Sequence, residues 1–184
     1  MTTAPSPLRI VFFGSPEYAV PSLHACLAIP DTEVVAVVTQ PDRPRGRSRT
    51  PQVTAVKQAA LEAGIKTILQ PERVRRDTTE ALLMLKPDIG VVAASGHILP
   101  NHLLEAFPHR VVNVHASLLP RHRGASPVAS AILAGDGDAG ASIMLVVREV
   151  DAGPVLNRIS TPIEPLDTTG TLTDRIAQLG ADLL

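Results

Sequence analysis

Apolar residues in this chain fall into short unbroken runs, and between the runs they recur with helical spacing. Residues 8–14, 33–39, 65–69, 89–93 and 111–115 read as strands, and their near-continuous apolar character agrees with burial on both faces. Between them, residues 20–27 carry Pro21 in the first turn of a helix, and residues 52–63 show helical spacing that Gly64 stops. Residues 79–86 make a helix that ends before Pro87, and residues 100–106 make another. After the fifth strand, residues 127–134 read as a helix, and residues 141–147 and 154–159 as strands whose short connection makes them antiparallel. A closing helix carries Leu172, Ile176, Leu179 and Leu183 in one stripe, with Asp167, Thr168 or Thr169 as its cap. The alternation predicts an α/β fold: a doubly wound, mostly parallel sheet with an antiparallel extension. Ligands of such sheets bind beyond the carboxyl ends of the strands, where Gly14, Ala94 to Gly96 and His115 to Ser117 all fall.

Composition narrows the picture. At 184 residues the chain fits one domain that buries roughly two-thirds of its unfolded surface. Only 2% of the residues are aromatic, so the core must be built from Ala, Val, Leu and Ile, which favours α/β over a β-sandwich. A net charge of -1 excludes a protein that coats nucleic acid over its whole surface, and directs attention to local patches. One such patch is residues 41–51, where Arg43, Arg45, Arg47 and Arg49 sit in a segment whose Pro and Gly content argues against regular structure. Such a loop suits phosphate contacts, and it also suits a plain solvated loop. Cys26 has no partner for a disulfide and reads as buried packing. The first residues carry no targeting pattern and no run approaches the length of a membrane span, so the cytoplasm is the expected location.

The candidate chemistry sits at the end of the fifth strand. Asn113 and His115 are two residues apart, so an extended strand points both to one face while Val112 and Val114 point to the other. An amine attacking an acyl carbon builds a negative oxygen and must lose a proton. The amide and the imidazole supply donors for that oxygen, and Asp151, just before a turn at Gly153, can orient the imidazole or a water. Spacing alone leaves open that these groups merely cap neighbouring backbone. The loop from Ala94 to Leu99 offers backbone groups to a flat heterocycle, or is an ordinary βα turn. The first turn, Gly14-Ser-Pro-Glu17, lacks the glycines of a dinucleotide fingerprint, which excludes a nicotinamide enzyme. His24, His102 and His109 form no metal-ligand pair at the usual spacing.

The run Asn113-Val-His-Ala-Ser-Leu-Leu-Pro120, with Arg121-His-Arg-Gly-Ala125 and Asp151-Ala-Gly153, resembles the folate-dependent formyltransferase family. Residues 13–17, 37–44, 94–100 and 133–136 extend the resemblance over essentially the whole chain. The resemblance implies a Rossmann-like catalytic domain over residues 1–184, with the C-terminal β-barrel of the family lying outside this chain. It further implies formyl transfer from 10-formyltetrahydrofolate to the amino group of methionyl-initiator tRNA, for translation initiation, by a monomer without a metal or a membrane. On the same basis Asn113, His115 and Asp151 would be catalytic, and Ser117, Leu118, Leu119 and Pro120 would contact the folate. Ser95, Gly96, Ile98 and Leu99 would wall the folate pocket, while Arg43, Arg45, Arg47 and Arg49 would contact tRNA, with Arg47 nearest the acceptor stem. Two positions depart from the family: Ser95 replaces a usual aromatic residue, and His122 stands where Trp is common. Other amine acceptors, glycinamide ribonucleotide or an amino sugar nucleotide, remain as alternatives, as does a non-catalytic domain that only binds folate or tRNA.

Overall fold

The computed structural model describes residues 6–44 and 50–184. Its first unit is β1 (Leu8–Gly14), a single turn of 3-10 helix and α1 (Val20–Ala28), with Pro21 in the first turn. There follow β2 (Thr32–Val38), the two-residue strands β3 (Arg43–Pro44) and β4 (Pro51–Gln52), α2 (Ala55–Glu62), β5 (Ile68–Leu69) and α3 (Arg76–Leu83). Next come β6 (Ile89–Ala93), α4 (Asn101–Leu104), β7 (Val111–His115), α5 (Pro127–Leu133), β8 (Asp138–Leu145), β9 (Val155–Pro162) and α6 (Thr169–Asp182). Among the described residues, seven strands form one sheet in the order β5-β2-β1-β6-β7-β8-β9. The five strands from β5 to β7 are parallel, whereas β8 pairs antiparallel with β7 and β9 with β8. The doubly wound parallel sheet with an antiparallel extension is therefore the observed architecture.

The alternation along β1 shows how the sheet is buried on both faces. Ile10 and Phe12 enter the core beneath α1 and α2, while Val11 and Phe13 enter the core beneath α3 and α4, and all four are at most 2% exposed. Phe13 meets Phe107 edge to face with ring centres 6.4 Å apart, the favoured geometry for two aromatic quadrupoles. Cys26 lies in the first of these cores, and burial pushes its thiol up to about 12. Such a thiol is inert packing.

Helix α6 begins at Thr168, whose side chain accepts from the Thr171 amide while the Thr171 hydroxyl accepts from the Thr168 amide. This reciprocal cap selects Thr168 among the three expected candidates. A Cβ at Gly180 would come within 2.6 Å of a Val114 methyl, so the missing side chain is what lets α6 lie directly on β7. One expectation is corrected at residues 41–51. Arg43–Pro44 and Pro51–Gln52 pair antiparallel, so the stem of the basic loop is a short ribbon rather than irregular chain. The ribbon is tied by Lys57 Nζ, which donates to Asp42 Oδ2 at 2.5 Å and to Gln70 Oε1 at 2.7 Å, while Gln70 Nε2 donates to Asp42 Oδ1. Arg45, Arg47 and Arg49 lie outside the described residues.

Candidate active site

The carboxyl ends of β6 and β7 open on a cavity of about 670 Å³. Its lining includes Ser95, Gly96 and Ile98 from the loop after β6, Asn113 and His115 from β7, Gly124 to Ala129 before and at the start of α5, and Asp151 from the β8–β9 connection. Tyr18, Thr169 and Thr173 close the end nearest α6. The topology therefore gathers on one cavity residues that span most of the chain.

Asn113 and His115 share a face because the strand alternates. Val112 and Val114 belong to the core under α1, whereas Val111 belongs to the core under α3 and α4. Asn113 and His115 continue the Val111 face beyond the end of that core. Asn113 lines the cavity, and among the described residues its carboxamide has no hydrogen-bond partner. His115 is 6% exposed, and its Nε2 lies 3.1 Å from the carbonyl oxygen of His122. A carbonyl only accepts, so Nε2 carries a proton and donates it there.

The other ring nitrogen, Nδ1, faces Asp151 Oδ2 at 3.6 Å. That distance is too long for a hydrogen bond. Asp151 Oδ2 instead accepts from the Gly124 backbone N–H at 2.9 Å. Behind the carboxylate, a Cβ at Gly153 would stand 1.8 Å from the Leu145 carbonyl oxygen, so only glycine lets the connection turn back onto β8 and aim Asp151 at the cavity.

Three non-glycine residues around the site hold left-handed backbone: Ala94 at φ 43°, His122 at φ 54° and Asp151 at φ 48°. Each such residue costs about 1–2 kcal/mol. Strain of this kind is sustained only where surrounding contacts over-determine the chain. At Ala94 those contacts are visible. The Ser95 carbonyl receives the Ser15 hydroxyl at 2.9 Å, and the His97 ring spans from Ser95 Oγ at 3.2 Å to the Pro71 carbonyl at 2.9 Å. Ser95 is thus both buried and engaged, in a place where the family resemblance expects a ring. Ser15 also accepts from the Gln40 amide, so the first turn is occupied with holding the cavity wall.

The remaining expected folate contacts divide. Ser95, Gly96 and Ile98 line the cavity, with Ile98 92% exposed at its mouth. Leu99 packs instead against the core under α3 and α4. Ser117, Leu118, Leu119 and Pro120 do not line this cavity. Ser117 and Leu119 are buried and fold the loop: Ser117 Oγ donates to the Arg121 carbonyl at 2.7 Å, and the Leu119 amide donates to Ser142 Oγ at 3.2 Å. Leu118 lines a separate cavity of about 230 Å³, and Pro120 is exposed. Arg43 is paired with Glu72 at 2.5 Å, with both side chains largely in solvent, so the pair is weak and readily exchanged for another anion.

Sequence reasoning missed the polar groups that hold the loop after β7. Asp136 takes Arg121 Nη2 on one oxygen and His122 Nε2 on the other, each at 2.6 Å. The His122 ring, followed by Arg121, holds the Asp136 carboxyl below the usual carboxylate range. Ser142, buried in β8, donates to the Ser117 carbonyl at 2.7 Å, and Arg158 Nη1 donates to the Leu119 carbonyl at 3.0 Å. The Gly135-Asp136-Gly137 turn and the resemblance over residues 133–136 mark Asp136 in the sequence, and nothing in either points to a partner fourteen residues away.

The formyl transferase family matches residues 8–184. A methionyl-tRNA formyltransferase of Roseiflexus sp. (strain RS-1) is 50% identical over 179 residues, covering 97% of this chain and 55% of that protein. A methionyl-tRNA formyltransferase of Gluconobacter oxydans (strain 621H) is 49% identical over 179 residues, covering 96% of this chain and 58% of that protein. The chain thus spans a little over half the length of the curated relatives it matches. Among solved structures, a glycinamide ribonucleotide transformylase from Symbiobacterium toebii superposes with a TM-score of 0.80 at 24% identity, over 100% of this chain and 86% of that one. A formyltetrahydrofolate deformylase from Pseudomonas syringae pv. tomato gives 0.75 at 21% identity, over 96% and 58%. These two likenesses show the shared fold.

Proposed function

This chain belongs to the formyl transferase family, and on that premise we propose that it moves the formyl group of 10-formyltetrahydrofolate to the amino group of methionyl-initiator tRNA. The acceptor is read from the relatives that are about half identical over nearly the whole of this chain, since those are named for that reaction. The observation that carries the chemistry is the convergence of Asn113, His115 and Asp151 on one cavity, with the imidazole and the carboxylate 3.6 Å apart.

In the reaction a bond forms between the methionyl nitrogen and the formyl carbon, and the bond from that carbon to N10 of the folate breaks. The attacking amine gives up a proton, and N10 gains one. Asn113 donates to the oxygen that becomes negative. With Nε2–H held by the His122 carbonyl, Nδ1 of the neutral ring is an acceptor: it takes a hydrogen bond from a water between ring and carboxylate or receives the amine proton, and only after that gain can it donate to the oxygen. Asp151 receives the amine proton or orients the water that carries it. Each oxyanion donor lost costs on the order of 3 kcal/mol of transition-state stabilisation, about a hundredfold in rate. The rest of the rate gain comes from holding two reactants in line.

Ser95, Gly96 and Ile98, which line one cavity wall, would contact the pterin. Arg43, with Arg45, Arg47 and Arg49 of the same loop, would contact the tRNA backbone, acting as a monomer in the cytoplasm. Glycinamide ribonucleotide fits less well, because the first turn has its Ser15 hydroxyl committed to the Ser95 carbonyl and no glycine cradle for a phosphate. The deciding experiment offers the protein 10-formyltetrahydrofolate with methionyl-initiator tRNA, glycinamide ribonucleotide, an amino sugar nucleotide or water. Transfer to the charged tRNA should exceed every other acceptor by orders of magnitude. Preferential transfer to another amine would overturn the proposed acceptor.

A further inference from the structure

We propose that Asp136 and His122 form a strap that positions the His115 imidazole and the Asp151 carboxylate relative to each other. The inference rests on the reading of His115 and Asp151 as catalytic. It starts from His122, whose left-handed backbone at φ 54° is one that glycine adopts freely and a histidine does not. What its side chain adds is a bond from Nε2 to Asp136 Oδ2 at 2.6 Å, with both side chains about 15% exposed. Arg121, on the other carboxylate oxygen, is 64% exposed and contributes little. The His122 contact therefore dominates the anchor.

The anchored backbone makes the two contacts that orient the site. The His122 carbonyl receives His115 Nε2–H at 3.1 Å, and two residues on, the Gly124 N–H donates to Asp151 Oδ2 at 2.9 Å. One short segment thus holds the ring by its far nitrogen and the carboxylate by one oxygen, which sets the 3.6 Å separation between them. Asp136 never reaches the cavity, so it acts through residues 121–124 as a positioning residue. Its anchor sits below the loop: the Asp136 amide donates to the Ala131 carbonyl at the end of α5, so the strap transmits the position of that helix to the site.

The test compares Asp136→Ala, His122→Gly and His122→Gln in the full chain, by steady-state kinetics and by histidine-ring 15N–1H spectra of His115. Asp136→Ala and His122→Gly should lower kcat ten- to a hundredfold with KM for either substrate changed less than twofold, and should move the His115 Nε2–H signal. His122→Gln, whose carboxamide can donate to the same carboxylate, should restore most of both. His122→Gly also relieves the left-handed backbone, so a purely structural role predicts wild-type kcat there, at equal or higher stability. Wild-type kcat together with an unmoved His115 signal in His122→Gly would overturn the strap, even if Asp136→Ala fails to fold. A displaced ring signal in a protein that formylates no acceptor would support the strap and refute the proposed reaction.

Discussion

Asp151 combines two demands that pull against each other, the carboxylate role proposed for it and a backbone held at φ 48°. The conflict is resolved behind it by Gly153, which passes so close to the Leu145 carbonyl that no side chain fits. The two residues therefore separate chemistry from scaffold. Asp151→Asn keeps an oxygen for the Gly124 amide but cannot take a proton, so kcat should fall by about two to three orders of magnitude with the melting temperature within a degree or two of wild type. Gly153→Ala must push the connection off β8, and overpacking of that kind costs about 1–3 kcal/mol. It should lower both the melting temperature and kcat. Thermal melts beside steady-state assays check the contrast, and full activity in Asp151→Asn would remove the carboxylate from the mechanism.

Among the elements, α6 shows local sequence and tertiary packing in agreement. Its reciprocal threonine cap sets the first turn, and Leu172, Ile176, Ala177 and Gly180 then lay it on the core beside β7 and β8. Thr168→Ala removes a cap worth about 1 kcal/mol, which chemical denaturation should report as a lower midpoint at an unchanged slope. The elements most legible in the sequence are β1, β6 and β7, which begin and end where the apolar runs do, because burial on both faces keeps polar positions few, Arg9 in β1 and Asn113 and His115 in β7. At the sheet margin the signal fades: β5 pairs only with β2 and shortens to Ile68–Leu69. The ribbon at the stem of the basic loop was illegible because Asp42, Lys57 and Gln70, on three separate segments, hold it. The same division applies to the site. Asn113 and His115 could be read from the period of one strand, whereas His122 and Asp136 are joined across a loop and a helix that carry no shared pattern. The run from Ser117 to Pro120 stood out as a motif, yet its buried members serve the fold of the loop.

Across the whole molecule, three aspartates in separate places share one electrostatic design. Asp42 is held below its ordinary range first by its bond to Lys57 and then by Gln70, Asp136 first by His122, and Asp167 first by Arg175 and then by the Glu164 amide. They tie down, respectively, the stem of the basic loop, the loop after β7 and the start of α6. Because each folded carboxyl titrates below the unfolded one, near pH 4, the unfolded chain binds more protons in the interval between the two values. Stability from these groups is therefore complete above about pH 4 and is lost as the pH falls through the folded values. The melting temperature should be insensitive to these groups from pH 7 to 5 and drop below pH 4, and Asp136→Asn should flatten part of that acid slope while lowering stability at neutral pH. Melting curves across pH 2–7 for the wild type and this variant make the comparison. An acid limb of equal steepness in both would mean that Asp136 contributes nothing to the pH dependence, and that the loop after β7 is held by its other bonds, among them those of Ser117, Ser142 and Arg158.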